Sequence, residues 1–158
     1  MSAETINLER TFKASVERVF DAWTSEEVLR RWFHGQRSWE TPEAEVDLRV
    51  GGTVRVKMSD PESDKEAIGS GVYKEIDRPT RLAFSWSWAD DAEREMLIEV
   101  DFEELDSGET VVRFTHSNLK DAESRSNHEE GWNVCFDELE VALAATSPGG
   151  PPDQSPPN

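Results

Sequence analysis

The stretch THSNLKDAESRSNHEEGWNVCF, residues 115–136, contains the transition from the last strand of the chain to its last helix. Val112, Phe114 and His116 alternate with polar neighbours, which is the two-residue period of a half-buried strand. In residues 126–145 the period changes, because apolar residues recur at intervals of three and four: Trp132, Cys135, Phe136, Leu139, Ala142 and Leu143. We therefore predict a strand that leads into a long amphipathic helix, with His128 at its start.

Upstream of this transition, the two-residue period extends back to residue 43. The apolar members of each segment share one face, as Leu82, Phe84 and Trp86 do, whereas their neighbours are polar. The turns between segments are too short for crossover helices, so neighbouring strands are expected to pair antiparallel. The predicted strands are residues 43–50, 53–59, 67–78, 80–88, 94–105 and 109–116.

The N-terminal part of the chain supplies one more strand and two short helices. Residues 4–12 alternate as a strand, and residues 13–23 carry apolar side chains at helical spacing after Ser15, a suitable N-cap. Residues 24–33 begin a second helix, for which Thr24 has the position of the first residue of a capping box. Two short helices are therefore expected after the first strand.

Together these elements predict an α+β fold, in which a curved antiparallel sheet with one dry face wraps around the long C-terminal helix. A sheet that grips a helix in this way encloses a space between them. We assign residues 1–145 to a single domain. The tail, residues 146–158, is rich in Pro and Gly and is predicted to be disordered.

The composition limits the classes of partner. A formal net charge of −17 repels nucleic acids and anionic lipids, so neither a nucleic acid nor a membrane is expected as a partner. No apolar run approaches the roughly 18 residues of a membrane span, and the N-terminus has no signal-peptide pattern. Cys135 is the single cysteine, which excludes an internal disulfide and fits a reducing compartment. The cytoplasm is therefore the expected location.

Several motifs, in their order along the chain, resemble a known family. They are FDAWTSEEVLRRWF, GGTVRV followed by GSGVYKEIDRPTRLAFSW, and GETVVRFTHSNL followed by NHEEGWNVCFDELE. The chain resembles the Hsp90-ATPase-activator-like (AHSA1-type) branch of the START-like, or SRPBCC, superfamily over about residues 5–145. This resemblance implies a helix-grip fold with a cavity between the sheet and the C-terminal helix. It also implies apolar ligands such as lipids, hormones or polyketides, catalysis in a minority of members, and a co-chaperone role in the protein that names the family.

The two histidines of the opening stretch are candidates for several roles. Strand alternation places His116 on the apolar face, and helical spacing places His128 on the same side as Trp132. A zinc site would need three or four ligands, and the spacing of His34 and the nearby acidic residues matches no ligand motif, so no metal is expected. Acid–base catalysis, a hydrogen bond to a ligand and a structural hydrogen bond at the strand-to-helix connection all stay open.

Aromatic residues converge on the space between sheet and helix if the predicted faces hold. Some of them fill the core and others form planar surfaces around a ligand. Trp32 and Trp39 flank a loop that either covers the cavity or only fastens the loop to the fold. The residues predicted to contact a ligand are Trp32, Met58, Phe84, Trp86, Trp88, His116, His128, Trp132 and Phe136.

The positions of three glycines and of the single cysteine allow structural predictions. Gly131 lies inside the predicted last helix, where Gly costs about 1 kcal/mol relative to Ala, so another backbone or a ligand is expected to approach it closely. Gly69 and Gly71 lie in a strand and predict a bend or bulge. Cys135 lies on the apolar stripe beside acidic residues and is predicted to be buried and unreactive.

Three functions follow as hypotheses. The first is a small-molecule-binding protein with an apolar or amphipathic ligand and no cofactor. The second is an enzyme of the same fold that uses His116 or His128, and the third is a protein-interaction module that acts on a chaperone. The edges of an antiparallel sheet also leave a homodimer open as a partner.

Overall fold

The computed structural model describes residues 4–145, so the predicted disordered tail, residues 146–158, lies outside the described residues. Seven strands and three α-helices form within this range. In chain order the elements are β1 (Glu4–Phe12), α1 (Val16–Thr24), α2 (Glu26–Trp32), β2 (Glu40–Val46), β3 (Thr53–Ser59), β4 (Glu66–Asp77), β5 (Arg81–Trp88), a short 3₁₀ turn (Ala89–Asp91), β6 (Met96–Glu104), β7 (Thr110–Leu119) and α3 (Ala122–Ala145).

The strands form one curved antiparallel sheet in the order β1-β7-β6-β5-β4-β3-β2. From β2 to β7 each strand pairs with the next in sequence, and β1 closes the far edge against β7. The register places apolar residues opposite one another, as in the pairs Leu82 with Val100 and Phe84 with Ile98. The antiparallel meander and the helix-grip arrangement predicted from the sequence are confirmed.

The core fills the space between the inner face of the sheet and the helices. Phe136 of α3 lies edge-on to Phe114 of β7 at a ring-centroid distance of 5.4 Å. Trp23 of α1 stacks on Trp132 of α3 at 6.0 Å. The indole N–H of Trp32 donates a 2.9 Å hydrogen bond to the carbonyl of Ala22, which fixes α2 against α1. Within residues 4–145, none of the helices combines the length and hydropathy that a bilayer crossing requires.

Strand β4 approaches β5 closely at two glycines. A Cβ atom on Gly69 would lie 2.2 Å from Cζ2 of Trp86, and one on Gly71 would lie 1.6 Å from the carbonyl oxygen of Ser85. The register then shifts between Tyr73 and Glu75. The irregularity expected near the glycines therefore occurs a few residues further along, and the glycines themselves allow the close approach of β5.

The position of β2 differs from the prediction, which placed a strand at residues 43–50. Gly51 has a positive φ of 89°, and the carbonyl of Arg49 accepts a hydrogen bond from the N–H of Gly52. This tight loop ends the strand at Val46, so the apparent alternation of residues 47–50 belongs to the loop. The consequence is that Leu48 and Val50 are exposed rather than packed in the core.

Two helix starts also differ from the prediction. Helix α1 continues through Thr24, so Ser25 caps α2 instead, and its hydroxyl accepts from the N–H of Val28. Helix α3 begins at Ala122 because the Asp121 carboxylate accepts a 2.7 Å hydrogen bond from the N–H of Ser124. His128 therefore lies well inside α3, in its second turn, and not at its start. The predicted cap of α1, Ser15, is confirmed.

Candidate functional site

A cavity of about 570 Å³ opens between the end of the sheet, α3 and the loop of residues 33–39. It lies where β3 and β5 end and β4 begins. Its volume is typical of small-molecule sites. Its lining consists of Phe33, Gly35, Gln36, Trp39, Met58, Glu66, Ala67, Ile68, Trp86, Trp88, Ala89, Asp90, Asn127, His128, Gly131, Trp132 and Cys135.

The interior and the mouth of this cavity differ in polarity. Met58, Trp86 and Trp132 line the interior and are each no more than 5% exposed. The polar residues Gln36, Glu66, Asp90 and Asn127 are exposed to solvent and form the mouth. A ligand with an apolar body and a polar end would match this gradient.

Two glycines place the 33–39 loop directly against α3. A Cβ atom on Gly35 would lie 3.3 Å from Cα of Gly131, so the two backbones are in contact. The Sγ of Cys135, one turn further along the helix, is 3.3 Å from the carbonyl oxygen of His34 and donates to it. Burial raises the pKa of the Cys135 thiol. The close backbone approach predicted at Gly131, and the burial predicted for Cys135, are confirmed.

The side chain of His34 fixes the position of the same loop through a hydrogen bond. Its ring Nδ1 is 3.1 Å from the hydroxyl of Thr41, and that hydroxyl donates to the carbonyl of Phe33. Because the hydroxyl proton is used in the second bond, Nδ1 of His34 carries the proton of the first. The loop is thus hydrogen-bonded to β2 on one side and to α3 on the other.

Ion pairs with Asp137 also connect this loop to α3. Asp137 of α3 accepts hydrogen bonds of 2.6 Å from both Arg37 and Arg10. These two guanidinium groups lower the pKa of the Asp137 carboxyl. The wall of the cavity is therefore connected to α3 and, through Arg10, to β1.

His116 lies fully buried at the base of this region. Its Nδ1 accepts a 3.0 Å hydrogen bond from the indole N–H of Trp132, and its Nε2 is 3.2 Å from the sulfur of Met96. The network therefore assigns the proton to Nε2. Burial, together with the neighbouring His128, lowers the pKa of His116 to about 3. The ring is neutral at physiological pH.

His128 lies on the cavity wall with both ring nitrogens engaged. Its Nε2 accepts a 2.8 Å hydrogen bond from the indole N–H of Trp88, and its Nδ1 donates over 2.7 Å to the carbonyl of Ser124. Its ring meets that of His116 edge-on at 5.4 Å. In the range 4–145, no group of three or more His, Cys, Asp or Glu side chains is placed to hold a metal ion.

The sequence profile of the family described as Activator of Hsp90 ATPase homolog 1-like protein matches residues 13–144. This match covers most of the chain. The protein belongs to the AHSA1 family. Among curated proteins, none matches the chain significantly.

Solved structures agree with this assignment. The AHSA1 protein of Silicibacter pomeroyi is 26% identical and superimposes with a TM-score of 0.77 over 90% of this chain and 99% of its own. The AHSA1-like protein of Aeromonas hydrophila is also 26% identical, with a TM-score of 0.73 over 90% of this chain and 93% of its own. A protein of Chromobacterium violaceum at 22% identity shares the fold, with a TM-score of 0.79 over 89% of this chain and 97% of its own.

The predicted site residues of this AHSA1 protein divide into two groups. Those that line the cavity are Met58, Trp86, Trp88, His128 and Trp132. The others are Trp32, Phe84, His116 and Phe136, which are at most 3% exposed and do not line it. The second group is buried in the interior of the fold and does not reach the cavity.

The loop contribution was largely missed by the sequence prediction. Phe33, Gly35 and Gln36 line the cavity, as does Trp39, whose role as a cover was one of two alternatives. Loop residues have no periodicity, so the available signal was only the two tryptophans that flank the segment. Trp39 is half-buried and packs against the core, so it both fastens the loop and contributes to the wall.

A second, polar cleft of about 430 Å³ adjoins the AHSA1 cavity. It shares Trp88, Asp90 and His128 with the cavity, so the Trp88–His128 pair separates the two spaces. The remaining lining residues are Asp91, Arg94, Met96, Lys120 and Ser124.

Proposed function

We propose that this protein binds a small apolar or amphipathic molecule in the cavity between the sheet and α3. The observation that carries the proposal is the cavity itself, whose interior is formed by buried aromatic and aliphatic side chains such as Trp86, Trp132 and Met58. Each Å² of such surface that a ligand removes from water contributes about 25 cal/mol. A carrier or a sensor would use a site of this kind.

The hydrogen bonds of the histidines favour binding over acid–base catalysis by these residues. A general base needs a free lone pair and a pKa near the working pH. His116 has neither, since Trp132 occupies its lone pair and its pKa is lowered to about 3. The lone pair of His128 is occupied by Trp88. Either ring would have to break a buried or half-buried hydrogen bond before it could accept a proton.

The interaction-module hypothesis has less support. The large hydrophobic side chains exposed within residues 4–145 are Leu48, Val50 and Val141. The first two belong to the β2–β3 loop and the third to α3, so they come from separate elements. A docking surface is expected to present a contiguous apolar patch. The chaperone role therefore rests on the description of the family.

A neutral, environment-sensitive probe tests the proposal. N-Hexyl dansylamide should bind with increased fluorescence and with energy transfer from the cavity tryptophans. Ala67→Phe places a ring in the cavity and should weaken binding at least about tenfold by occupying the space. Ala144→Phe, at an exposed position of α3, is the matched control and should bind as the unmodified protein does.

Native mass spectrometry of freshly purified protein complements the probe. An added small-molecule mass that is released on activation, and that is absent from Ala67→Phe, would identify the natural ligand class. Unchanged probe binding by Ala67→Phe would contradict the proposed site.

We propose the cytoplasm as the place of action, which the single cysteine, Cys135, supports.

A further inference from the structure

The charged groups at the mouth of the cavity are of one sign. Glu66 and Asp90 line it, whereas no Lys or Arg occurs among the lining residues that the structure describes. Asp90 is exposed, and its carboxylate makes no hydrogen bond or ion pair with any other side chain in residues 4–145. The formal charge of the cavity lining is therefore negative, beside an apolar interior.

Two cationic side chains that are adjacent in sequence to lining residues are already engaged by carboxylates. Lys57 lies 3.6 Å from both Glu43 and Glu66. Arg37, next to the lining residue Gln36, is bound to Asp137 at 2.6 Å. Neither cation is free to receive an anionic ligand.

The cations of the adjoining polar cleft are also opposed by acidic groups. Arg94 and Lys120 lie on the far side of the Trp88–His128 pair. Asp91 lines the same cleft, as does Asp90, which the cleft shares with the cavity. Over the two linings together, the three carboxylates of Glu66, Asp90 and Asp91 still outnumber these two cations. These two cations do not reverse the sign of the charge at the cavity mouth.

The usual backbone anion site is closed as well. Free N–H groups at the start of a helix attract anions, and α3 begins at Ala122, five residues before the lining residue Asn127. The Asp121 carboxylate already accepts a 2.7 Å hydrogen bond from the N–H of Ser124 and places a negative charge there. An anionic ligand would meet a further carboxylate at this position.

Aromatic rings near the mouth suit a cation. Trp39 and Trp88 are half-buried and line the cavity, where an ammonium group can approach the face of an indole ring. The chain as a whole carries a net charge of −17, which adds long-range attraction for cations and repulsion for anions.

We infer that the cavity selects molecules whose apolar body ends in a cation, such as an aromatic or aliphatic amine, over molecules that end in a carboxylate or sulfonate. This inference rests on the proposed function, since it assigns the chemical class of the ligand of the same cavity. The interior binds the apolar body, and Asp90 receives the cationic end at the mouth. Glu66, which lies 3.6 Å from Lys57, adds to the negative charge of the lining.

Three dansyl sulfonamides test the inference because they differ only at the end of a five-carbon chain. The ends are an ammonium in dansylcadaverine, a methyl in N-hexyl dansylamide and a carboxylate in dansyl-6-aminohexanoate. At moderate ionic strength, the ammonium probe should bind at least about tenfold more tightly than the carboxylate probe, with the methyl probe between them.

A matched pair of double variants separates the effect of the charges at the mouth from the effect of the overall charge. Asp90→Asn with Glu66→Gln removes two charges at the mouth and should reduce the preference to about twofold. Asp106→Asn with Glu103→Gln removes two charges near the β6–β7 turn, at the opposite end of β6 from the cavity, and should leave the preference unchanged.

The outcomes are distinct. If none of the three probes binds, the proposed function itself fails. If the methyl probe binds but the carboxylate probe binds as tightly as the ammonium probe, the cavity stands and the charge inference is overturned. An equal loss of preference in both double variants would also overturn it, because the selectivity would then belong to the overall charge.

Discussion

The indole N–H of Trp88 donates a 2.8 Å hydrogen bond to Nε2 of His128, and this bond connects the last residue of β5 to the second turn of α3. A second bond of the same kind runs in the opposite direction, from Trp132 of α3 to His116 of β7. Each tryptophan thus uses the lone pair of a histidine on the facing element. The pairs fix the tautomers of both rings and attach the open end of the sheet to the helix.

Replacing Trp88 by Phe should remove the donor and keep most of the apolar surface. The lone pair of His128 would then lack its partner at a half-buried position, so the free energy of unfolding should fall by about 1–2 kcal/mol. Trp39→Phe is the control, because the Trp39 indole makes no hydrogen bond within residues 4–145. Urea unfolding would contradict the assigned role of the bond if both variants lost the same free energy.

The pKa of His116 gives the stability a defined pH dependence. It is lowered to about 3 in the folded protein, whereas an unfolded histidine titrates near 6.5. As the pH falls, the unfolded chain therefore binds a proton at this histidine before the folded protein does. The stability that this group supplies is fully present above pH ~6.5 and decreases by up to about 1.4 kcal/mol per pH unit between pH ~6.5 and the folded pKa of about 3.

His116→Gln isolates this contribution, since the Gln carbonyl can still accept from Trp132. Urea unfolding between pH 7 and 5 should show a smaller loss of stability for the variant than for the unmodified protein. In NMR spectra, the ring resonances of His116 should stay at neutral-imidazole positions across that interval. A titration midpoint near 6.5 would disprove the assigned burial and hydrogen bonding.

Gly69→Ala should be strongly destabilising. The added methyl would lie 2.2 Å from Cζ2 of Trp86, whose side chain is 1% exposed and cannot move freely. Overpacking of this kind costs about 1–3 kcal/mol, and the displaced indole should also weaken probe binding in the cavity. Ser70→Ala, at the exposed neighbouring position, should leave both quantities nearly unchanged. Equal stability of the two variants would argue against the β4–β5 packing.

Gly131→Ala tests the contact between α3 and the loop of residues 33–39, and this substitution should stabilise the protein. The added methyl would lie 3.6 Å from Cα of Gly35, which is an ordinary van der Waals contact. Relief of the Gly penalty inside a helix should then raise the free energy of unfolding by up to about 1 kcal/mol. Gly131→Leu should push the loop away, lower the stability and shrink the cavity. A clear loss of stability on Gly131→Ala would show that the backbones pack more tightly than the structure describes.

The arrangement of strands and helices was predictable because it depends on local periodicity. Alternation along β5 and β7 placed Phe84, Trp86, Phe114 and His116 on the inner face, and all are buried there. The starts of α2 and α3 were less predictable, because the caps compete among neighbouring polar residues. Ser25 caps α2 in place of Thr24, since α1 runs one residue further than its apolar spacing indicates.

The candidate site was predictable only in part. Alternation assigns a residue to a face of the sheet, but it does not show at which position along the strands the sheet and α3 separate. Trp86 and Trp88 lie past that point and line the cavity, whereas Phe84, on the same face of the same strand, packs in the core. Sequence spacing could not distinguish them.

The sequence by itself determined the order of the elements, the dry face of the sheet and the apolar stripe of α3, because each follows from a period of two or of three to four residues. Only the tertiary structure decided which side chains meet across these elements. Trp88 and His128 are separated by 40 residues, and Gly35 and Gly131 by 96, so no local pattern couples them. Their contacts arise when the curved sheet closes on α3, and those contacts shape the cavity.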